Sequence, residues 1–428
     1  FQPQLEGTGE VQINFLSNRL VLKELLHYAG YNHLPEQHRS EEVSKLNLRC
    51  HAETTFQKGK LDKAKIQLDA LSGKLKSFSQ ELHHFSGLLS FEQDLVTFNH
   101  VNGSLGNSDV EMNGHYHFSN PKYRNNLNLK SKMLDLRFLE EGSESTKITE
   151  GAEHDKKLSL YDYDFPNLDI ALQIDHFLFS PYELYDLHFD AHFFEDHHID
   201  VNHIRLKTAE GSISGKGTFS GRDKTHIYFA PNLTIHHINL DKFMLKFDNF
   251  GQDHLVSENL HGFAEGKVQG KIHLHADLVP NLDHSELEID VQVTNGRLEN
   301  YEPLVDLGTY FEDKDVSSVK FDTLTNVFRL KNGKLTIPEM VICSSLGFLK
   351  ISGNQSISGN MPMQYQIGIP WSMVKDVARN KIFKNKKDNE ETDEIITEEK
   401  KAKYIYFKVD GDMENFKVTL MKKKKRKE

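Results

Sequence analysis

From Glu286 to Val293 the chain alternates without a break, Leu287, Ile289, Val291 and Val293 falling between Glu286, Glu288, Asp290 and Gln292. Successive side chains of an extended chain point to opposite faces, so this stretch predicts a strand with one face buried and the other in water. The grammar recurs at Leu168, Ile170, Leu172 and Ile174, at Leu187, Phe189, Ala191 and Phe193, at Ile405, Phe407 and Val409, and at Phe416, Val418 and Leu420. Asn102-Gly103, Asn113-Gly114, Asn295-Gly296, Asn332-Gly333 and Asp410-Gly411 have the residue types of two-residue hairpin turns. Ser214-Gly215, Ser220-Gly221, Ser352-Gly353 and Ser358-Gly359 read as further punctuation between strands. Together these signals predict a mainly β protein, a long antiparallel meander.

Helical periodicity is scarce. One amphipathic helix is predicted over Ser17–Ala29, with Ser17 as its cap and Gly30 as its stop. A second follows Pro370, with Trp371, Val374, Val377, Ala378 and Phe383 as its apolar stripe, and a weaker one runs from Tyr301 to Phe311. The charged stretches Glu140–Lys157 and Lys384–Lys403 have little to bury and read as linkers. The first separates a region over 1–139, helix plus strands, from a strand region over 158–428 of the same grammar.

Strands that each carry one apolar face must bury it on another sheet, on helices or on a ligand. The predicted helices are too few for the task. A sheet curled so that its apolar face lines an open groove meets the requirement if acyl chains complete the burial. A dry β-sandwich or solenoid satisfies the same pattern, and periodicity does not separate the two.

Composition narrows the function. A formal net charge of -11 argues against nucleic acid, which calls for a basic face, while 28 Phe and 14 Tyr are too many for a disordered chain. Cys50 and Cys343 indicate neither a disulfide scaffold nor a zinc module. No apolar run approaches the roughly 20 residues that span a bilayer. His115/His117 and His273/His275 have the spacing of ligands on one strand face but read as solvated positions, and His83-His84, His197-His198 and His236-His237 point to opposite faces of an extended chain. No metal or cofactor is expected. There is no nucleophile elbow, phosphate-binding loop or zinc-protease motif, so no catalytic residue is assigned and no enzyme is expected.

The stretches Val291–Leu298, Val319–Leu324, Phe328–Pro338 and Ser344–Gly353, strand and turn units in close succession, resemble the C-terminal region of AsmA-like proteins, of the bridge-like lipid transfer superfamily. That resemblance implies a periplasmic β-groove anchored in the inner membrane by an upstream helix, conducting phospholipid or other acyl lipid between inner and outer membranes for outer-membrane integrity. It also implies membrane surfaces, and an envelope protein, as partners. Two rival readings are a non-enzymatic scaffold assisting outer-membrane protein assembly and a carbohydrate-binding surface protein. On the lipid reading, the alternating positions Leu287, Ile289, Val291, Phe328, Leu330, Leu335, Ile337, Leu349, Ile351, Tyr365, Ile367 and Ile369 line the lipid path. Trp371, the one tryptophan, and the basic residues Lys422, Lys423, Lys424, Lys425 and Arg426 are the expected membrane contacts.

Overall fold

The computed structural model describes residues 7–21, 41–57, 60–76, 80–120, 122–137, 160–162, 164–179, 182–246, 257–310, 315–356, 363–374, 403–411 and 415–421. Twenty strands belong to one open, mostly antiparallel sheet; with strand at 78% and helix at 6%, no helical layer among the described residues covers its faces. The chain divides into two compact units, Phe1–Lys207 with Lys216–Thr225, and Thr208–Gly215 with His226–Glu428.

In the first unit β1 (Gly7–Val21), β2 (Glu42–Gln57), β3 (Lys60–Leu75), β4 (Glu81–Glu92), β5 (Leu95–Leu105), β6 (Ser108–His117), β7 (Asn125–Asp135), β8 (Leu168–Phe179), β9 (Tyr182–Phe194) and β10 (His198–Thr208) pair in chain order. Every pairing is antiparallel except β7 with β8, which is parallel. A parallel pair needs a long crossover, and residues 136–167 are long enough to provide one. The predicted linker 140–157 lies outside the described residues, and the strands on either side of it pair directly. β11 (Gly211–Ser220) is divided between the units.

The second unit holds β12 (Ile227–Asn239), α1 (Leu240–Lys246), β13 (Leu260–Leu274), β14 (Pro280–Glu299), α2 (Glu302–Val305), β15 (Ser318–Lys331), β16 (Lys334–Ser344), β17 (Gly347–Ser356), β18 (Met363–Pro370), β19 (Tyr404–Gly411) and β20 (Phe416–Leu420). From β12 to β20 neighbouring strands pair antiparallel. Asn239 caps α1 by accepting from the Lys242 N–H at 3.1 Å, and Met244 is buried. The helix predicted over Tyr301–Phe311 is present as α2, with Pro303 in its first turn, followed by a 3-10 turn at Asp306–Tyr310.

Two helix expectations are corrected. Ser17 to Val21 are the end of β1, and the rest of that predicted helix is outside the described residues. The Ser17 hydroxyl does not cap a helix; it donates to the Arg19 carbonyl and accepts from the Arg19 N–H, while Leu20 pairs with Val43 of β2. After Pro370 a 3-10 turn, Trp371–Met373, takes the place of the helix start. Val374 then returns to extended backbone, φ −94° and ψ 130°, which buries its side chain completely. Residues 375–383 lie outside the described residues.

The turn signals are corrected as well. Of the expected turn pairs among the described residues, only Asn332-Gly333 makes a two-residue hairpin, with φ of 52° and 68° between Lys331 and its partner Lys334. Asn102-Gly103, Asn113-Gly114 and Asn295-Gly296 sit inside β5, β6 and β14, Ser214-Gly215 and Ser352-Gly353 inside β11 and β17, and Asp410-Gly411 and Ser220-Gly221 at strand ends. Ser358-Gly359 is outside the described residues. The real tight connections include Gln93-Asp94, Gly106-Asn107 and Ser345-Leu346.

Three interior glycines make room for rings. Gly296 pairs with Phe321, and a Cβ on Gly296 would lie 1.9 Å from that ring; Gly353 pairs with Tyr365 and would meet its ring at 2.4 Å. Gly103 lies under Phe85 in the same way. An aromatic side chain laid over a bare cross-strand backbone buries both partners and holds the register. Gly296→Ala should therefore cost about 1–3 kcal/mol through overpacking against Phe321. Chemical denaturation of the variant checks this, and a loss within error of zero would show that the ring moves aside freely.

Candidate functional site

In the first unit the register lines up a row of apolar and small residues at right angles to the strands. Val11 of β1 lies beside Ala52, then come Ile66, Leu89, Phe98, Gly114, Leu127, Ile170, Ala191 and finally Val201 of β10. The row one position along, on the opposite face, is polar almost throughout: Glu10, Glu53, Lys65, Ser90, Thr97, His115, Asn126, Asp169, His192 and Asp200. Ile13, Cys50 and Leu68 form a further row on the apolar face, which deepens into a cluster with Phe85 and Val101. Most positions of the long row are half-buried, and Val11, Ile13 and Phe15 on β1 are exposed.

The second unit repeats the arrangement. Leu233, Val268, Ile289 and Phe328 lie side by side from β12 to β15, and Ile337, Gly353, Tyr365, Val409 and Val418 from β16 to β20. Of the predicted lipid-path residues, Phe328, Leu335, Ile337, Leu349, Ile351, Tyr365 and Ile367 line a hollow of about 370 Å³. Leu287 and Ile289 continue its face as the cross-strand partners of Leu330 and Phe328, and Val291 packs on the neighbouring cluster of Val293, Phe321 and Ile342.

The twelve positions differ in character. Leu287, Ile289, Val291, Phe328, Leu335, Ile337 and Ile351 are half-buried, whereas Leu330, Leu349, Tyr365, Ile367 and Ile369 are 8% exposed or less. Leu349, Tyr365, Ile367 and Ile369 belong to a buried cluster with Phe407, Val409 and Leu307. The apolar face is thus partly open and partly filled from within.

Alternation in the sequence did not reveal the polar chain crossing this face. The Tyr365 hydroxyl donates to Gln355 Oε1 at 2.5 Å. Its one proton is committed there, so its hydrogen bond with Tyr301 uses the Tyr301 proton. Burial pushes the Tyr301 hydroxyl up to about 12, its bond to Tyr365 acting the other way, and pushes the Tyr365 hydroxyl up as well. Both phenols stay neutral donors in the physiological range.

On the polar face Asp169 joins three strands. Arg124, the residue just before β7, clamps it through Nε and Nη2 at 2.5 and 2.9 Å, and His192 of β9 lies 2.7 Å away through Nδ1. Arg124, followed by His192, holds the Asp169 carboxyl at about 2, against the opposing effect of burial. The predicted histidine pairs have structural surroundings: His115 and His117 both pack on Tyr123, and His117 Nδ1 accepts from the Asn120 N–H at 3.2 Å. Burial, followed by nearby Lys271, lowers the pKa of His273. Among the described residues no group of three His, Cys, Asp or Glu is placed to hold a metal ion. Trp371 is half-buried, its backbone N–H donating to the Lys403 carbonyl at 2.7 Å, and Lys422, Lys423, Lys424, Lys425 and Arg426 lie outside the described residues.

Fold and site define a class, an open β-sheet protein whose two units each carry rows of apolar side chains across their strands. No protein family, curated protein or solved structure matches the chain.

The Asp169 clamp has a definite pH signature. Its folded carboxyl ionises at about 2 against an ordinary 3.8, so its contribution to stability is fully present above about pH 4 and is lost as pH falls through about 2. Urea midpoints of the wild type and Asp169→Asn should diverge above pH 4 and converge toward pH 2. A difference that stays constant across that window would mean the clamp does not act through its charge.

Proposed function

We propose that the protein binds acyl lipid along the apolar face of its sheet and conducts phospholipid between the inner and outer membranes, as a non-enzymatic periplasmic protein held to the inner membrane by an upstream helix. The observation that carries this reading is the lateral apolar row from Val11 to Val201. A soluble protein gains nothing from leaving such a row half-exposed, since roughly 25 cal/mol is lost for each Å² of apolar surface left in water. An acyl chain laid along the row removes that cost at about 0.8 kcal/mol per methylene while its headgroup stays hydrated. Neighbouring positions in the row are chemically similar, so a chain meets no single deep trap on the way. The resemblance to AsmA-like proteins supports the same reading, as does the hollow in the second unit.

Phe98→Glu and Ile289→Glu place a charge at half-buried positions of the two rows, where water can still reach it. Lipid extracted into organic solvent and measured by mass spectrometry should fall at least about tenfold in each, with unfolding temperatures only a few degrees lower. Ile367→Glu, at a site 4% exposed, should instead unfold the second unit. Unchanged lipid in folded Phe98→Glu and Ile289→Glu would defeat the proposal.

A further inference from the structure

β14 and β15 are paired to their ends, Glu299 opposite Ser318, and just beyond them the Asn300 N–H donates to the Ser317 carbonyl at 2.8 Å. A ladder closed at that point needs only a tight turn to pass from one strand to the next. The chain instead leaves for α2 and the 3-10 turn that follows it. This excursion is not needed for the continuity of the sheet.

What it accomplishes is the placement of two leucines. Leu304 and Leu307, 3% and 0% exposed, join the cluster of Leu349, Ile367, Ile369 and Phe407 on the apolar face. Tyr301, Pro303 and Leu304 also form part of the wall of the 370 Å³ hollow. The chain of hydroxyls from Tyr301 to Tyr365 to Gln355 ties the start of the excursion to β17 and β18.

We propose that this excursion is a stop: it occupies the part of the apolar face next to the hollow, and so limits the length of phospholipid acyl chain the hollow accepts. The proposal rests on reading the apolar face as an acyl path. Leu304 and Leu307 fill their places intramolecularly, without the entropy cost of association that a ligand meets, so an incoming chain does not displace them easily. An acyl chain entering along β14 to β16 therefore ends against Leu304.

The test titrates the intact protein, loaded with cis-parinaric acid, with lysophosphatidylcholines from octanoyl to stearoyl, beside the matching free fatty acids. Wild-type affinity should rise with chain length and then level off. With residues 301–316 replaced by Asn-Gly the plateau should disappear, the stearoyl form gaining at least about tenfold, the gain expected of two further buried methylenes. Leu304→Ala, which only opens the wall, should move the plateau to longer chains and decides the matter if the excision variant does not fold. The same plateau in Leu304→Ala and wild type overturns the stop while leaving the acyl path intact. Displacement by free fatty acids alone overturns the assignment to phospholipid, and no displacement by either series from the wild type overturns the acyl path itself.

Discussion

Everything in this protein depends on register. In a sheet one residue of slip turns each side chain of a strand to the other face, so a row such as Ile66, Leu89, Phe98 exists only while each hydrogen-bonded pairing holds. The ladder is what converts alternation within strands, a one-dimensional property, into a stripe that runs across them. Burial alone does not enforce this, because most of the row is half-buried and no layer among the described residues covers it.

The chain keeps register by spending residues. His84, His100, His237 and Asn295 have positive φ, between 49° and 52° apart from His100 at 48°, and each stands where the partner numbering skips. A bulge of this kind takes up an extra residue, sharpens the twist and returns the following side chains to the face they need. Phe85, Val101, Ile238 and Gly296 are the positions restored. Histidine and asparagine tolerate the left-handed region better than branched residues do, which accounts for part of the histidine content without chemistry.

Strand grammar was legible in the sequence because period-two alternation is local: Leu287 to Val293 and Ile405 to Val409 lie in strands as expected. Lateral neighbours were not legible, since Phe98 and Leu127 are brought side by side through Gly114 by pairings that single strands do not encode. Asn-Gly was misread in β5, β6 and β14 because the same lack of a side chain that favours a turn also admits an aromatic ring, as at Gly103 and Gly296, or a closely approaching partner backbone, as at Gly114. For the site, the half-buried residues Phe328, Leu335 and Ile337 were within reach of pattern reading. Tyr301 was not, because its role comes from Tyr365 and Gln355, remote in the chain and adjacent only after folding.

The parallel pair of β7 and β8 has a consequence for the order in which the first unit assembles. Hairpins such as β4–β5 and β5–β6 zip from their turns, so their registers are set by contacts close in the chain. β7 and β8 have no turn to start from, and closing the loop of residues 136–167 gives up entropy before any pairing offsets it. Their alignment falls to side chains: the Arg124 clamp on Asp169 and the Asn125 amide donating to the Asn167 carbonyl at 3.0 Å. Pairing at this seam is accordingly expected to come late and slowly in folding, two separately zipped arrays of hairpins recognising each other through charge and amide contacts before their apolar rows become one.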